Sequence, residues 1–64
     1  MSLKAFIRDN PNRKLILLWF KDGELQTQYV YQDQINYISK HILNMEVMET
    51  DTYDEEDWIE VWLR

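Results

Sequence analysis

Lys21-Asp22-Gly23-Glu24 holds the only glycine in the chain, and it divides two segments of strand character. An Asp-Gly pair favours the left-handed backbone of a two-residue hairpin turn, so the flanking segments are expected to pair antiparallel. Before the turn, Arg13 to Lys21 is apolar without interruption from Leu15 to Phe20. That is the pattern of a central strand covered on both faces. After it, Leu25, Thr27, Tyr29 and Tyr31 alternate with Gln26, Gln28 and Val30, the period of two that marks a strand.

The other elements follow from the same periodicities. Leu3, Ala5 and Ile7 alternate with Lys4, Phe6 and Arg8, which predicts a first strand. Asp9-Asn10-Pro11-Asn12 ends it, since proline removes a donor and the neighbouring side chains supply turn oxygens. Past Gln32 the period changes. Ile35, Ile38, Ile42 and Leu43 form one helical stripe, with Gln32 or Asp33 as cap and Asn44 suited to a left-handed close. Lys40 and His41 near its end suit the helix dipole. Met45 to Thr50 alternates again, with Met45, Val47 and Glu49 sharing one side.

The ending Trp58-Ile59-Glu60-Val61-Trp62-Leu63-Arg64 fits two patterns. Trp58, Val61 and Trp62 have helical spacing, but the β-branched and aromatic content favours a strand. In that strand Ile59, Val61 and Leu63 lie on one side and Trp58, Glu60 and Trp62 on the other. The expected fold is α+β and a single domain over residues 1–64: a small antiparallel sheet in the order β-β-β-α-β-β, with one helix on one face. A helix of about three turns cannot cover five strands. The far face should therefore carry part of the Trp and Tyr complement and call for a partner or shielding.

At 64 residues and with no cysteine, neither a disulfide framework nor a thiolate metal site can staple this fold. Large side chains must do so: three Trp, four Tyr, two Phe and the Leu and Ile residues. A dimer could share that load. The formal charge of −5 argues against direct binding to nucleic acid and to an anionic membrane surface. No apolar run approaches the ~20 residues of a membrane span, and no secretory signal is recognisable. The expected compartment is cytoplasmic.

The charge is concentrated. Eight acidic residues and no basic one lie between Glu46 and Glu60. The commonest meaning of such a run is a solvated loop. A hand-type calcium loop starting at Asp51 fails, because Tyr53 stands at the third position and Glu56 at the sixth, where glycine is needed. No metal or cofactor is expected. Carboxylates beside amphipathic rings can instead form a recognition surface for a protein with a basic surface. Its residues would be Glu49, Asp51, Tyr53, Asp54, Glu55, Glu56, Asp57, Trp58, Glu60 and Trp62. Trp19, inside the apolar strand, is assigned to the core. Pairing of the first two strands would gather Lys4, Arg8, Arg13 and Lys14 into a small positive patch.

His41 is the only histidine, and Ser39, two positions away on the expected helix, diverges from it. One His, one Gly and no Cys give little material for a walled catalytic pocket, so an enzyme is not expected. The function expected is that of a small acidic, non-enzymatic binding protein. Phages and mobile elements encode inhibitors of this type, which occupy the nucleic-acid-binding groove of a host protein by charge mimicry. The alternative is a homodimeric accessory or structural module whose aromatic sheet face forms the dimer interface.

Overall fold

The computed structural model describes residues 1–53 and 57–64. It is an α+β fold. Helix α1 (Leu3–Asp9) is followed by strands β1 (Lys14–Lys21) and β2 (Glu24–Val30), then a single 3-10 turn (Ile35–Tyr37). A short helix α2 (Lys40–Leu43) leads into strands β3 (Val47–Tyr53) and β4 (Trp58–Leu63). The four strands form one sheet in the order β2-β1-β4-β3. β1 pairs antiparallel with β2 and β4 antiparallel with β3, but the central pair β1–β4 is parallel, so the sheet is mixed.

The hairpin forms where Asp22-Gly23 predicted it. Lys21 pairs with Glu24, and both turn residues have positive φ, 53° at Asp22 and 81° at Gly23. Glycine reaches that region without a steric penalty, and aspartate tolerates it better than most residues.

The first segment is a helix, which corrects the expected strand. Ser2 caps it, its Oγ accepting from the Ala5 N–H at 3.1 Å. Leu3, Phe6 and Ile7 then make an i, i+3, i+4 stripe: Leu3 is fully buried and the other two pack against the core. Alternation would have turned Phe6 away from Leu3 and Ile7. Asn10 closes the helix, its side-chain amide donating to the Phe6 carbonyl at 2.9 Å. Because this segment does not pair with β1, Lys4 and Arg8 are not gathered with Arg13 and Lys14 by strand pairing.

The expected helix after Gln32 is broken in two. Ile38 is extended, with φ −82° and ψ 125°, and Ser39 restarts the chain by accepting from the Ile42 N–H at 3.3 Å. Serine bonds readily to nearby backbone in non-helical geometry, and here it competes with continuation of the helix. Asn44 does close α2, but in the right-handed region, with φ −88°. The apolar stripe nonetheless identified the right residues: Ile38 and Ile42 are buried, and Ile35 and Leu43 pack on the core.

One face of the sheet carries that core. Leu15 and Leu17 from β1, Val30 from β2, and Ile59, Val61 and Leu63 from β4 meet Leu3, Ile38 and Ile42 from the helical layer. Trp19 packs partly buried against it. Both chain ends are fastened to the start of β3. Leu3 N–H donates to the Met45 carbonyl, Val47 N–H to the Met1 carbonyl, and Glu46 exchanges a pair of bonds with Arg64. No helix among the described residues is long and apolar enough to cross a membrane.

The Ser2 cap is the structural reason why the N-terminal segment is helical. Ser2→Ala is expected to lower unfolding free energy by about 1 kcal/mol. Urea denaturation followed by far-UV circular dichroism measures this, and Ser2→Asp should retain most of the stability.

Candidate functional site: the uncovered sheet face

Both helices and the 3-10 turn lie on one side of the sheet, so the opposite face has no covering layer among the described residues. The register determines what that face displays. In β1 the residues alternating with Leu15 and Leu17 are Lys14, Ile16, Leu18 and Phe20. Their partners in β2 are Tyr29 opposite Ile16, Thr27 opposite Leu18 and Leu25 opposite Phe20. On the other side, Trp58 stands beside Lys14, Glu60 beside Ile16 and Trp62 beside Leu18. Glu49 and Asp51 follow, opposite Trp62 and Glu60. An aromatic and aliphatic floor thus runs from the β2 edge to β4, and carboxylates line the β3 edge.

β1 is central, but it is covered on one side only, contrary to its apolar pattern. Phe20, at the end of the strand, is 62% exposed, and Leu25 opposite it is 48% exposed. Even on this side Leu18 and Trp58 are buried by their neighbours, at 7% and 9% exposure, and Ile16 is half-buried. A shallow depression of about 550 Å³ opens here, walled by Ile16, Leu18, Tyr29, Trp58 and Glu60 among others.

Trp58 anchors the floor. Tyr29 and Tyr31 meet its ring edge-on, at centroid separations of 5.6 and 5.2 Å. The Lys14 ammonium sits 5.1 Å from the indole centroid, where the ring's negative face attracts it. Edge-to-face geometry brings positive ring edges to the negative face and fixes the rings relative to one another. Trp62 is half-buried, and its indole N–H donates to Glu60 Oε1 at 2.8 Å. That bond holds a carboxylate beside a partly exposed ring in the middle of the sheet.

The expected site residues divide three ways. Trp58, Glu60 and Trp62 share the uncovered face, as the alternation in the last strand implied. Glu49 joins them because β3 carries a bulge between Val47 and Glu49, with Met48 as the extra residue. The simple alternation put Glu49 on the side of Val47; the bulge reverses its facing. Asp51 is exposed on the same face, and Tyr53 stands opposite Trp58 in the ladder. Asp57 occupies a turn at φ 62° and makes a long ion pair of 3.9 Å with Arg13. Asp54, Glu55 and Glu56 lie outside the described residues.

Lys14, Ile16, Leu18, Phe20, Leu25 and Thr27 lie on this face and were not in the expected set. Tyr29 and Tyr31 were also missed, although the alternation of β2 had already grouped them with Leu25. The missing signal was the direction of that row. Val30 is buried and Gln26 and Gln28 are half-buried on the helix side, so the apolar row of β2 points outward.

A second groove, of about 450 Å³, lies on the helix side between the hairpin end and α2, bordered by Trp19, Gln26, Tyr37 and His41. Ser39, also on its rim, already uses its hydroxyl as the α2 cap. No family model, curated protein sequence or solved structure matches the chain.

The rings of this face differ in what they do for the fold. Trp58→Ala is expected to cost about 3 kcal/mol or more, because it removes the ring on which Tyr29, Tyr31 and Lys14 pack. Phe20→Thr and Leu25→Thr, exposed and β-compatible, should stay within about 0.5 kcal/mol of the parent. Urea titrations of the three variants measure both.

Proposed function

We propose that this chain is a non-enzymatic binding protein whose uncovered sheet face docks a protein partner with a basic surface. One observation carries the reading: rings and carboxylates share one uncovered face of the sheet, with Tyr29 and Trp62 beside Glu49, Asp51 and Glu60. Trp62 and Tyr29 offer large, rigid ring surface of the kind that dominates binding energy at interfaces. Glu49, Asp51 and Glu60 form an acidic row beside them, and Asp54 to Asp57 continue the negative charge in sequence. Lys14, the cation that the register places beside Trp58 on this face, is engaged with its ring.

The chemistry selects the kind of partner. A row of carboxylates repels phosphate and attracts Lys and Arg, so a nucleic acid is disfavoured and a nucleic-acid-binding groove is favoured. Occupying such a groove would make the chain an inhibitor by charge mimicry, of the kind phages and mobile elements encode. The acids would steer the encounter, and the rings would supply the desolvated contact once docked. Nothing in this scheme needs a cofactor or a metal.

The test is affinity capture from the native host at low salt, followed by titration of the captured protein against variants. Glu49→Gln combined with Asp51→Asn should weaken binding by about tenfold, and Trp62→Ala by more. Affinity should fall steeply as ionic strength rises from about 0.05 M to about 0.5 M, because exposed charges are screened beyond a Debye length. A partner whose affinity ignores both salt and these carboxylates would overturn the proposal.

A further inference from the structure

The two edges of the sheet are defended unequally. At the β3 edge, Ser2 bridges to Glu46 and Val47 N–H is taken by the Met1 carbonyl, so the chain's own first residues cover the start of the strand. Next come the bulge at Met48 and the carboxylates Glu49 and Asp51. Bulges, charges and covering segments are the usual means by which a sheet edge is kept from pairing with another chain. β2, the other edge, has none of them beyond the charge of Glu24 at its turn end. From Leu25 to Tyr31 it carries no charge, no proline and no bulge.

The register identifies which backbone groups are free. Lys21 and Glu24 flank a two-residue turn and are therefore a hydrogen-bonded pair. Alternation along the ladder then makes Trp19–Gln26, Leu17–Gln28 and Leu15–Val30 the bonded pairs. Leu25, Thr27 and Tyr29 fall between them, so their N–H and C=O groups point away from β1. Among the described residues no hydrogen bond reaches those groups, and all three residues are exposed.

We infer that the β2 edge pairs antiparallel with the β2 edge of a second copy of this chain, across a two-fold axis at Thr27, to make a continuous eight-stranded sheet. The sequence of the strand is self-complementary in that register. Thr27 meets its own mate, and Leu25 meets the mate's Tyr29. Every outward-pointing backbone group then faces an outward-pointing one, as antiparallel bonding requires. On the uncovered face the pairs are Leu–Tyr, Thr–Thr and Tyr–Leu; on the helix side Gln26 meets Gln28. No like charges oppose each other.

Charge also selects this occupant and this edge. The chain carries −5, and self-association through the acidic face or the β3 edge would bring carboxylates toward carboxylates. Joining at β2 leaves the two β3 edges on the outside. Seven interstrand spacings of about 4.8 Å put them roughly 34 Å apart, well beyond the ~10 Å over which salt lets charges act. This inference concerns an edge rather than a face, so it stands independently of what docks on the aromatic surface. If both hold, the dimer offers that surface in two joined copies.

The test is oligomeric state, by sedimentation equilibrium and light scattering of the whole chain, from about 1 µM to about 100 µM. The parent should reach twice the chain mass. Thr27→Lys sets like charges against each other at the axis and should raise the dimer dissociation constant by at least about tenfold. Thr27→Pro removes an outward N–H that β1 does not use and should do the same. Circular dichroism checks that each variant folds. With no native cysteine, Thr27→Cys should oxidise to a covalent dimer, since bonded antiparallel pairs stand about 5.5 Å apart, within disulfide reach; Glu49→Cys should not. A parent that stays monomeric at about 100 µM overturns the inference. So does a dimer indifferent to Thr27→Lys, or one broken by Trp62→Ala instead.

Discussion

The parallel pairing of β1 with β4 is the interaction on which the rest of this fold depends. It inserts the last strand between β1 and β3, setting Leu15 beside Ile59 and Leu17 beside Val61. Those branched side chains are nearly inaccessible to solvent and form the floor on which the helices pack. Because side chains alternate with a period of two, a slip of one residue would exchange Ile59, Val61 and Leu63 for Trp58, Glu60 and Trp62. A carboxylate would then be carried into the apolar core, at a cost of several kcal/mol. The register is thus fixed by what the core cannot accept, and the composition of the open face follows from it.

Among the described residues no second layer lies on that open face. α1, the 3-10 turn and α2 together provide one helical layer, and all of it is used over the β1–β4 core. What remains is a face on which Leu18 and Trp58 are buried by their neighbours while Phe20, Leu25, Tyr29 and Tyr31 are left exposed to water. Extensive apolar exposure of this kind marks interaction sites or aggregation risk. The net charge of −5 counters the latter by mutual repulsion, and the row of carboxylates along β3 biases which surfaces can approach. Stability and the proposed recognition therefore draw on the same strand: β4 turns its aliphatic side to the core and its Trp-Glu-Trp side to the open face.

How much of this was legible depended on whether the deciding information was local. The Asp22-Gly23 turn and the two-sidedness of β4 could be read directly, because each depends on a few adjacent residues. The apolar stripe of Ile35, Ile38, Ile42 and Leu43 picked out buried residues even though Ser39 breaks the helix beneath it. Leu3 to Arg8 was misread because a six-residue window supports both alternation and a helical stripe; Ser2 as a cap was the neglected clue. The parallel β1–β4 pair was not legible, since side-chain period reports that a strand exists but not its neighbour or direction. The same limit hid the bulge at Met48, which moves Glu49 onto the face of Trp62. It also hid the bareness of β1 on one side, because an uninterrupted apolar run looks alike whether one layer or two will cover it.

The most direct check is nuclear Overhauser spectroscopy of the isotope-labelled chain, read along the β1–β4 seam. Cross-strand contacts in parallel register should link Leu15 with Ile59 and Leu17 with Val61, and the indole of Trp58 should contact the rings of Tyr29 and Tyr31. An antiparallel pattern between those strands would contradict the account, and so would indole contacts with Leu3 and Ile42, which would place the tryptophan side of β4 in the core.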